Sequence, residues 1–121
     1  MSTVTCEIYG DVLIATFHGR IDRKAAPLLE AELVDAFGDA RHVVCDLTEV
    51  SDISSTGYRL LLRLYYEAST RAGEIALAGG TQEIRSTLAA TGLRNFFVMA
   101  ASLDEALARL CQNSPGHAGL T

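Results

Sequence analysis

Three consecutive hydroxyl side chains, Ser54, Ser55 and Thr56, precede a glycine and a leucine-rich segment. The apolar residues of that segment have helical spacing, so the hydroxyls lie where a helix is expected to begin. A serine or threonine at such a position caps the helix, because its oxygen accepts a backbone N–H that has no partner inside the helix. One hydroxyl is sufficient for a cap. The others are therefore candidates for covalent modification or for binding, with capping alone as the simpler alternative.

Gly57 lies in the first turn of this predicted helix. Glycine inside a helix costs roughly 0.5–1 kcal/mol relative to alanine. Its presence there predicts the close approach of another backbone segment or of a binding partner.

Three carboxylates, Asp46, Glu49 and Asp52, lie near the end of the third predicted strand. They could act as paired acids, bind Mg²⁺ or form a solvated acidic rim. Sites for hard divalent cations commonly combine carboxylates with substrate phosphates, and Gly79-Gly80 lacks the lysine and the spacing of a phosphate-binding loop. The sequence therefore favours the acidic rim, and it predicts neither a metal site nor a cofactor.

The histidines and cysteines show no catalytic or metal-ligand spacing. His18 and His42 lie at strand ends without a nucleophile motif beside them, which favours structural roles. Cys6, Cys45 and Cys111 form no Cys-x-x-Cys or Cys/His pattern. Cys6 and Cys45 fall in apolar strands, so we expect them to be small buried hydrophobic residues.

Hydrophobic periodicity predicts one α/β domain over residues 1–111 that positions these side chains. The predicted sheet is small and mixed, with four to five strands packed against about four α-helices. Residues 112–121 are expected to form a flexible C-terminal tail. The predicted strands are 4–9, 12–17, 42–47, 74–78 and a short one at 96–99. The predicted helices run from Asp22 to about Phe37, from the hydroxyl cluster to Gly73, over 82–90 and from Ser102 to about Cys111.

The first predicted helix has Asp22 as its expected N-cap, because a carboxylate can accept the free N–H groups of a first turn. Its buried face follows from apolar residues spaced three and four apart. That face consists of Ala26, Leu29, Leu33 and Phe37, widened by Leu28 and Val34.

The composition limits the partners that this chain can have. It has 121 residues, a net charge of -5 and a pI near 5.0. Nucleic acids and anionic membrane surfaces both require clustered basic residues, so neither is an expected partner. No uncharged apolar stretch approaches the roughly 20 residues that a membrane span needs. With no visible signal peptide and an odd number of cysteines, we expect a cytoplasmic protein.

The segment VCDLTEVSDISSTGYRLLLRLYYEA, residues 44–68, resembles the signature of STAS domains of the anti-sigma factor antagonist type. That signature is an apolar strand, Asp-Leu, a serine followed by a small residue and glycine, and a leucine-rich helix. GRIDRKAAPLLEAEL resembles the family's first turn and helix, and ASLDEALARL resembles its final helix. The resemblance extends from about Val4 to Leu110, and it implies the STAS fold.

The resemblance implies a regulator and not an enzyme. Such proteins bind a serine kinase that is also an anti-sigma factor, are released when the kinase phosphorylates them, and are reset by a serine phosphatase. The phosphorylated serine of the family matches Ser55. Many members have aspartate where this chain has Ser54, which makes Ser54 a second candidate acceptor and Thr56 a third. The residues expected to contact the partner are Arg20, Asp22, Asp52, Ser54, Thr56 and Gly57.

Two alternatives remain open at the level of sequence. The chain could be a constitutive STAS subunit that docks on an ATPase, for example that of a lipid-transporting ABC complex. It could also be a small enzyme or nucleotide-binding protein, although it lacks a phosphate-binding loop and a metal-ligand set. The identity of the kinase, any sigma factor and the oligomeric state are not specified by the residues.

Overall fold

The computed structural model describes the backbone of residues 2–113 and the side chains of residues 2–110. A short 3₁₀ helix, Leu93–Phe96, precedes the last strand. The strands are β1 (Thr3–Tyr9), β2 (Val12–Ile21), β3 (His42–Ile53), β4 (Ile75–Ala78) and β5 (Val98–Ala100), and the helices are α1 (Ala25–Phe37), α2 (Ser55–Thr70), α3 (Gln82–Ala90) and α4 (Leu103–Asn113).

The five strands form one mixed sheet in the order β1-β2-β3-β4-β5. β1 and β2 are antiparallel and are joined by a two-residue turn, Gly10-Asp11. The remaining pairs are parallel. Parallel neighbours need long crossover connections, and α1, α2 and α3 lie within these crossovers. The predicted mixed sheet with four helices is confirmed.

The helices cover the two faces of the sheet unequally. α1, α2 and α3 contribute to the larger apolar core, with residues such as Leu33, Leu61 and Leu88 packed against the sheet. On the other face, α4 contributes Ala106 and Leu110 to a smaller core. The chain enters α1 after β2 and α2 after β3, so the residues that follow these strands lead into the three-helix layer.

β2 and β3 are longer than their apolar runs predicted. They extend to Ile21 and Ile53, which are partners across the strand pair, where the sequence predicted ends at residues 17 and 47. Two register shifts interrupt the pairing, between Thr16 and His18 and between Gly19 and Arg20. Such irregularities break the period-two pattern on which strand prediction depends. Because Ile21 pairs with Ile53, the two strands end beside each other, just before the start of α2.

The helix predictions differ from the structure in a few places. α3 covers residues 82–90 as predicted. Leu28 is 75% exposed and does not widen the buried face of α1, whereas the four principal positions of that face are buried. Before β5, the 3₁₀ helix occupies residues that the sequence assigned in part to a strand. α4 continues through Asn113, and the rest of the predicted tail, 114–121, lies outside the described residues.

None of the described helices combines the length and apolarity that would be needed to cross a membrane.

Candidate functional site

The ends of β2 and β3 bring two helix N-termini to the same edge of the sheet. The backbone N–H of Ser54 donates to the carbonyl of Ile21 at 2.9 Å, which fixes the start of α2 against the end of β2. α1 follows β2 and α2 follows β3. The carboxyl edge of parallel strands is a common place for binding sites in α/β folds. The hydroxyl cluster lies at this edge.

Ser54 is the N-cap of α2. Its backbone is extended, and its Oγ accepts the N–H of Gly57 at 3.2 Å. Its carbonyl accepts the N–H of Tyr58 at 3.0 Å, as the first hydrogen bond of the helix. The capping function suggested by the sequence therefore belongs to Ser54, whose hydroxyl is committed to the fold.

Ser55 is the first residue of α2 and is exposed, whereas Ser54 and Thr56 are each partly buried. Within the described part of the chain, the Ser55 hydroxyl has no hydrogen-bond partner. Of the three hydroxyls, that of Ser55 is the most accessible to another protein.

Gly57 is buried where α2 contacts the two strands. A Cβ atom at this position would lie 2.7 Å from the carbonyl oxygen of Ile21 and 2.7 Å from Cγ2 of Ile53. The predicted close approach of another backbone is therefore present. This gives Gly57 a role in positioning Ser55, and its predicted contact with a partner remains a prediction.

Charged side chains lie at the ends of β2 and β3, near the starts of α1 and α2. Arg20 Nη2 lies 3.5 Å from Asp52 Oδ2, and both side chains are more than half exposed. Asp22 Oδ1 accepts the N–H groups of Lys24 at 3.1 Å and Ala25 at 2.9 Å. These bonds close the turn before α1, whose N-cap position is Lys24 and not Asp22 as predicted. Exposed pairs of the Arg20–Asp52 kind contribute little to stability. Arg20 and Asp52 are thus accessible to a partner, whereas Asp22 supports the fold.

The three carboxylates considered as a metal site do not converge. Asp46 Oδ1 accepts both the hydroxyl of Thr48 at 2.6 Å and its N–H at 3.0 Å. Glu49 Oε1 lies 3.2 Å from Nδ1 of His18, and Asp52 pairs with the arginine described above. Among the side chains of residues 2–110, no group of three or more His, Cys, Asp or Glu residues could hold a metal ion.

A cleft beside Ser55, of about 440 Å³, is a feature that the sequence did not reveal. It lies between α2 and the end of α3, and no local pattern predicts how these two helices are placed relative to each other. The side chains that line it include Ser55, Tyr58, Arg59, Leu62, Thr87 and Leu93. The cleft thus offers a mainly apolar surface next to the exposed hydroxyl.

Tyr58 separates this cleft from a second hollow that Asp52 and Glu83 line. Burial raises the pKa of the Tyr58 phenol. The nearby Thr87 side chain lowers the pKa of the phenol, whereas the carboxylates of Asp52 and Glu83 raise it further. A neutral phenol therefore lies among acidic groups on one side of the site.

His42 lies at the opposite end of β3 from the hydroxyl cluster. Its ring is buried, and Nδ1 accepts the N–H of Glu74 at 2.9 Å. Nε2 lies 3.9 Å from Oδ2 of Asp11. Among the described residues, Nε2 has no hydrogen-bond partner. The structural role that the sequence favours for His42 stays a prediction.

Residues 3–106 match the family model of the STAS domain, so the chain belongs to the STAS domain family. BtrV of Bordetella bronchiseptica, a candidate anti-sigma factor antagonist, is 30% identical over 106 residues, which cover 87% of this chain and 91% of BtrV.

Solved structures of similar proteins agree with this assignment. An anti-sigma factor antagonist from Mycobacterium paratuberculosis matches with a TM-score of 0.81 and 26% identity, over 91% of this chain and 94% of its own. SpoIIAA of Bacillus, an anti-sigma factor antagonist, is 22% identical over 88% of this chain. Its unphosphorylated form matches with a TM-score of 0.77 over 95% of its length, and its phosphorylated form with 0.71 over 98%. The predicted membership in a family of anti-sigma factor antagonists is confirmed.

Proposed function

We propose that this protein acts by partner switching. The unphosphorylated form binds a serine kinase that is also an anti-sigma factor, and phosphorylation of Ser55 releases it. A serine phosphatase then restores the binding form. The observation that supports this proposal is the exposed and uncommitted hydroxyl of Ser55 at the start of α2, in a STAS domain whose relatives are named as antagonists.

The position of Ser55 suits a phosphate. Free N–H groups and the helix dipole favour an anion at a helix N-terminus. Phosphorylation adds about -1.5 to -2 charges at neutral pH. A partner fitted to the unmodified surface then meets a new anion beside the exposed carboxylate of Asp52. Like-charge juxtaposition at an interface costs several kcal/mol, and about 1.4 kcal/mol corresponds to a tenfold change in affinity.

The environments of the three hydroxyls support Ser55 as the proposed acceptor. Modification of Ser54 would disturb the oxygen that accepts the Gly57 N–H. Thr56 is partly buried. We therefore propose Ser55 as the acceptor, with Ser54 second and Thr56 third.

The proposed contact surface surrounds the acceptor. It contains the exposed Arg20–Asp52 pair and the partly buried Thr56. Asp22 and Ser54 lie at the two helix starts and contribute mainly by shaping this edge. The adjoining cleft supplies apolar area, so the partner would combine apolar contact with charge recognition.

Mass spectrometry after incubation with Mg-ATP and the serine kinases of its own cell tests the proposal. We expect one added phosphate, mapped to Ser55 and abolished by Ser55→Ala, while Ser54→Ala and Thr56→Ala remain substrates. A phosphate on Ser54 would show that Ser54, and not Ser55, is the acceptor. No phosphate with any kinase, together with stable binding to an ATPase irrespective of ATP, would instead support the constitutive assembly subunit.

A further inference from the structure

Ser55 and Arg59 are neighbours on one face of α2. Residues four apart in a helix have Cβ atoms roughly 5–6 Å from each other. Both side chains line the cleft between α2 and the end of α3. Ser54 is five residues before Arg59 and has the extended backbone of an N-cap, so its side chain does not share this spacing.

Arg59 is exposed, and within the described residues it has neither an ion pair nor a hydrogen bond. Its nearest arginine along the helix, Arg63, has Nε 3.8 Å from Oε2 of Glu30. Arg20, on β2, pairs with Asp52 on β3. Arg59 is therefore an uncommitted cation within one helical turn of the proposed acceptor.

We propose that Arg59 binds the phosphate of phosphorylated Ser55 within the same molecule. This inference rests on the proposed function, because it takes Ser55 as the acceptor. A guanidinium group pairs with phosphate through two parallel N–H···O bonds. The order is also the favourable one for a helix, with the anion N-terminal to the cation by four residues.

The pairing gives phosphorylation a second effect on the surface. The phosphate adds negative charge, and it also draws the Arg59 guanidinium away from any partner that contacts it in the cleft. Other charged groups face the same region: Asp52 and Arg20 at the strand ends, and Glu83 from α3. The carboxylates raise the second pKa of the phosphate, whereas Arg59 lowers it by stabilising the dianion.

A titration of the phosphate tests this pairing without a kinase. The full chain is made with phosphoserine incorporated at position 55 during translation, and its second pKa is measured by ³¹P NMR at low ionic strength, where screening is weakest. We expect Arg59→Gln to raise this pKa by about 0.2–0.4 unit, the shift that corresponds to the usual strength of an i,i+4 ion pair. Arg59→Lys retains the charge, so its phosphate pKa should lie between that of the original protein and that of Arg59→Gln.

Arg63→Gln is the matched control, because it removes the same charge one turn further along the helix. We expect it to leave the phosphate pKa unchanged. An unchanged pKa in Arg59→Gln, or an equal shift in both variants, would overturn the pairing. Since translation installs the phosphate, this result is independent of the kinase experiment, and the two proposals can fail separately.

Discussion

At the scale of single residues, the three adjacent hydroxyls have different environments. Ser54 caps α2, Ser55 is exposed and Thr56 is partly buried. The sequence predicted one cap and spare hydroxyls, but it could not assign the cap. That assignment depends on where β3 ends, and β3 extends six residues beyond its apolar run, from a predicted end at 47 to Ile53.

Ser54→Ala and Ser55→Ala form a matched pair for testing this assignment. Loss of the cap in Ser54→Ala should lower the free energy of unfolding by about 1 kcal/mol. Ser55→Ala removes an exposed hydroxyl and should stay within about 0.5 kcal/mol of the unmodified protein. Urea unfolding measures both. Equal destabilisation by the two variants would mean that the Ser55 hydroxyl has a structural role.

At the scale of secondary-structure elements, α2 is positioned by its contact with the ends of two strands. The unusual glycine in its first turn was visible in the sequence, and its predicted reason, a close backbone, is the carbonyl of Ile21. The identity of that backbone was not predictable, because the register shifts between β2 and β3 decide which residues meet. The number and order of the elements did follow from local hydrophobic periodicity.

Gly57→Ala tests this contact. The added methyl group would overlap both Ile21 and Ile53, and overpacking of this kind costs about 1–3 kcal/mol. This cost exceeds the roughly 0.5–1 kcal/mol that alanine gains over glycine inside a helix. We therefore expect a net loss of stability in urea unfolding.

Thr56→Ala, in the same turn, is the control and should change stability far less. A Gly57→Ala protein as stable as the original would show that α2 can move away from the strands without cost.

At the scale of the whole molecule, burial of thiols makes stability depend on pH. Burial raises the pKa of Cys45 well above its ordinary value, with further contributions from Cys6 and Asp46. Burial also raises the pKa of Cys6, which was predicted to be buried and is only partly so. The native thiol of Cys45 therefore stays protonated at a pH where the unfolded thiol ionises.

Above about pH 8.5, where unfolded cysteine ionises, the stability should fall. The expected slope from Cys45 is up to about 1.4 kcal/mol per pH unit, and stability below that pH should be unaffected by this group. Urea unfolding of Cys45→Ala beside the original protein measures the difference. If both proteins lose stability equally between pH 8.5 and 10, the buried thiol is not the cause.

The arrangement of the whole domain also limits what sequence could predict about the site. The mixed sheet, the four helices and the family follow from local patterns and from the STAS signature. The cleft between α2 and α3 does not, because its lining residues, such as Leu62 and Leu93, are brought together only by packing. The sequence likewise could not show that Arg59 lines this cleft, because that depends on how α2 and α3 pack.

The affinity of the unmodified and Ser55-phosphorylated proteins for the cognate kinase is the most direct test of partner switching. Isothermal titration calorimetry with a nucleotide analogue that cannot be hydrolysed would give both values. We predict that phosphorylation weakens binding at least about 100-fold, as expected if the new charge costs about 2.7 kcal/mol or more at the interface. Equal affinities for the two forms would contradict the account.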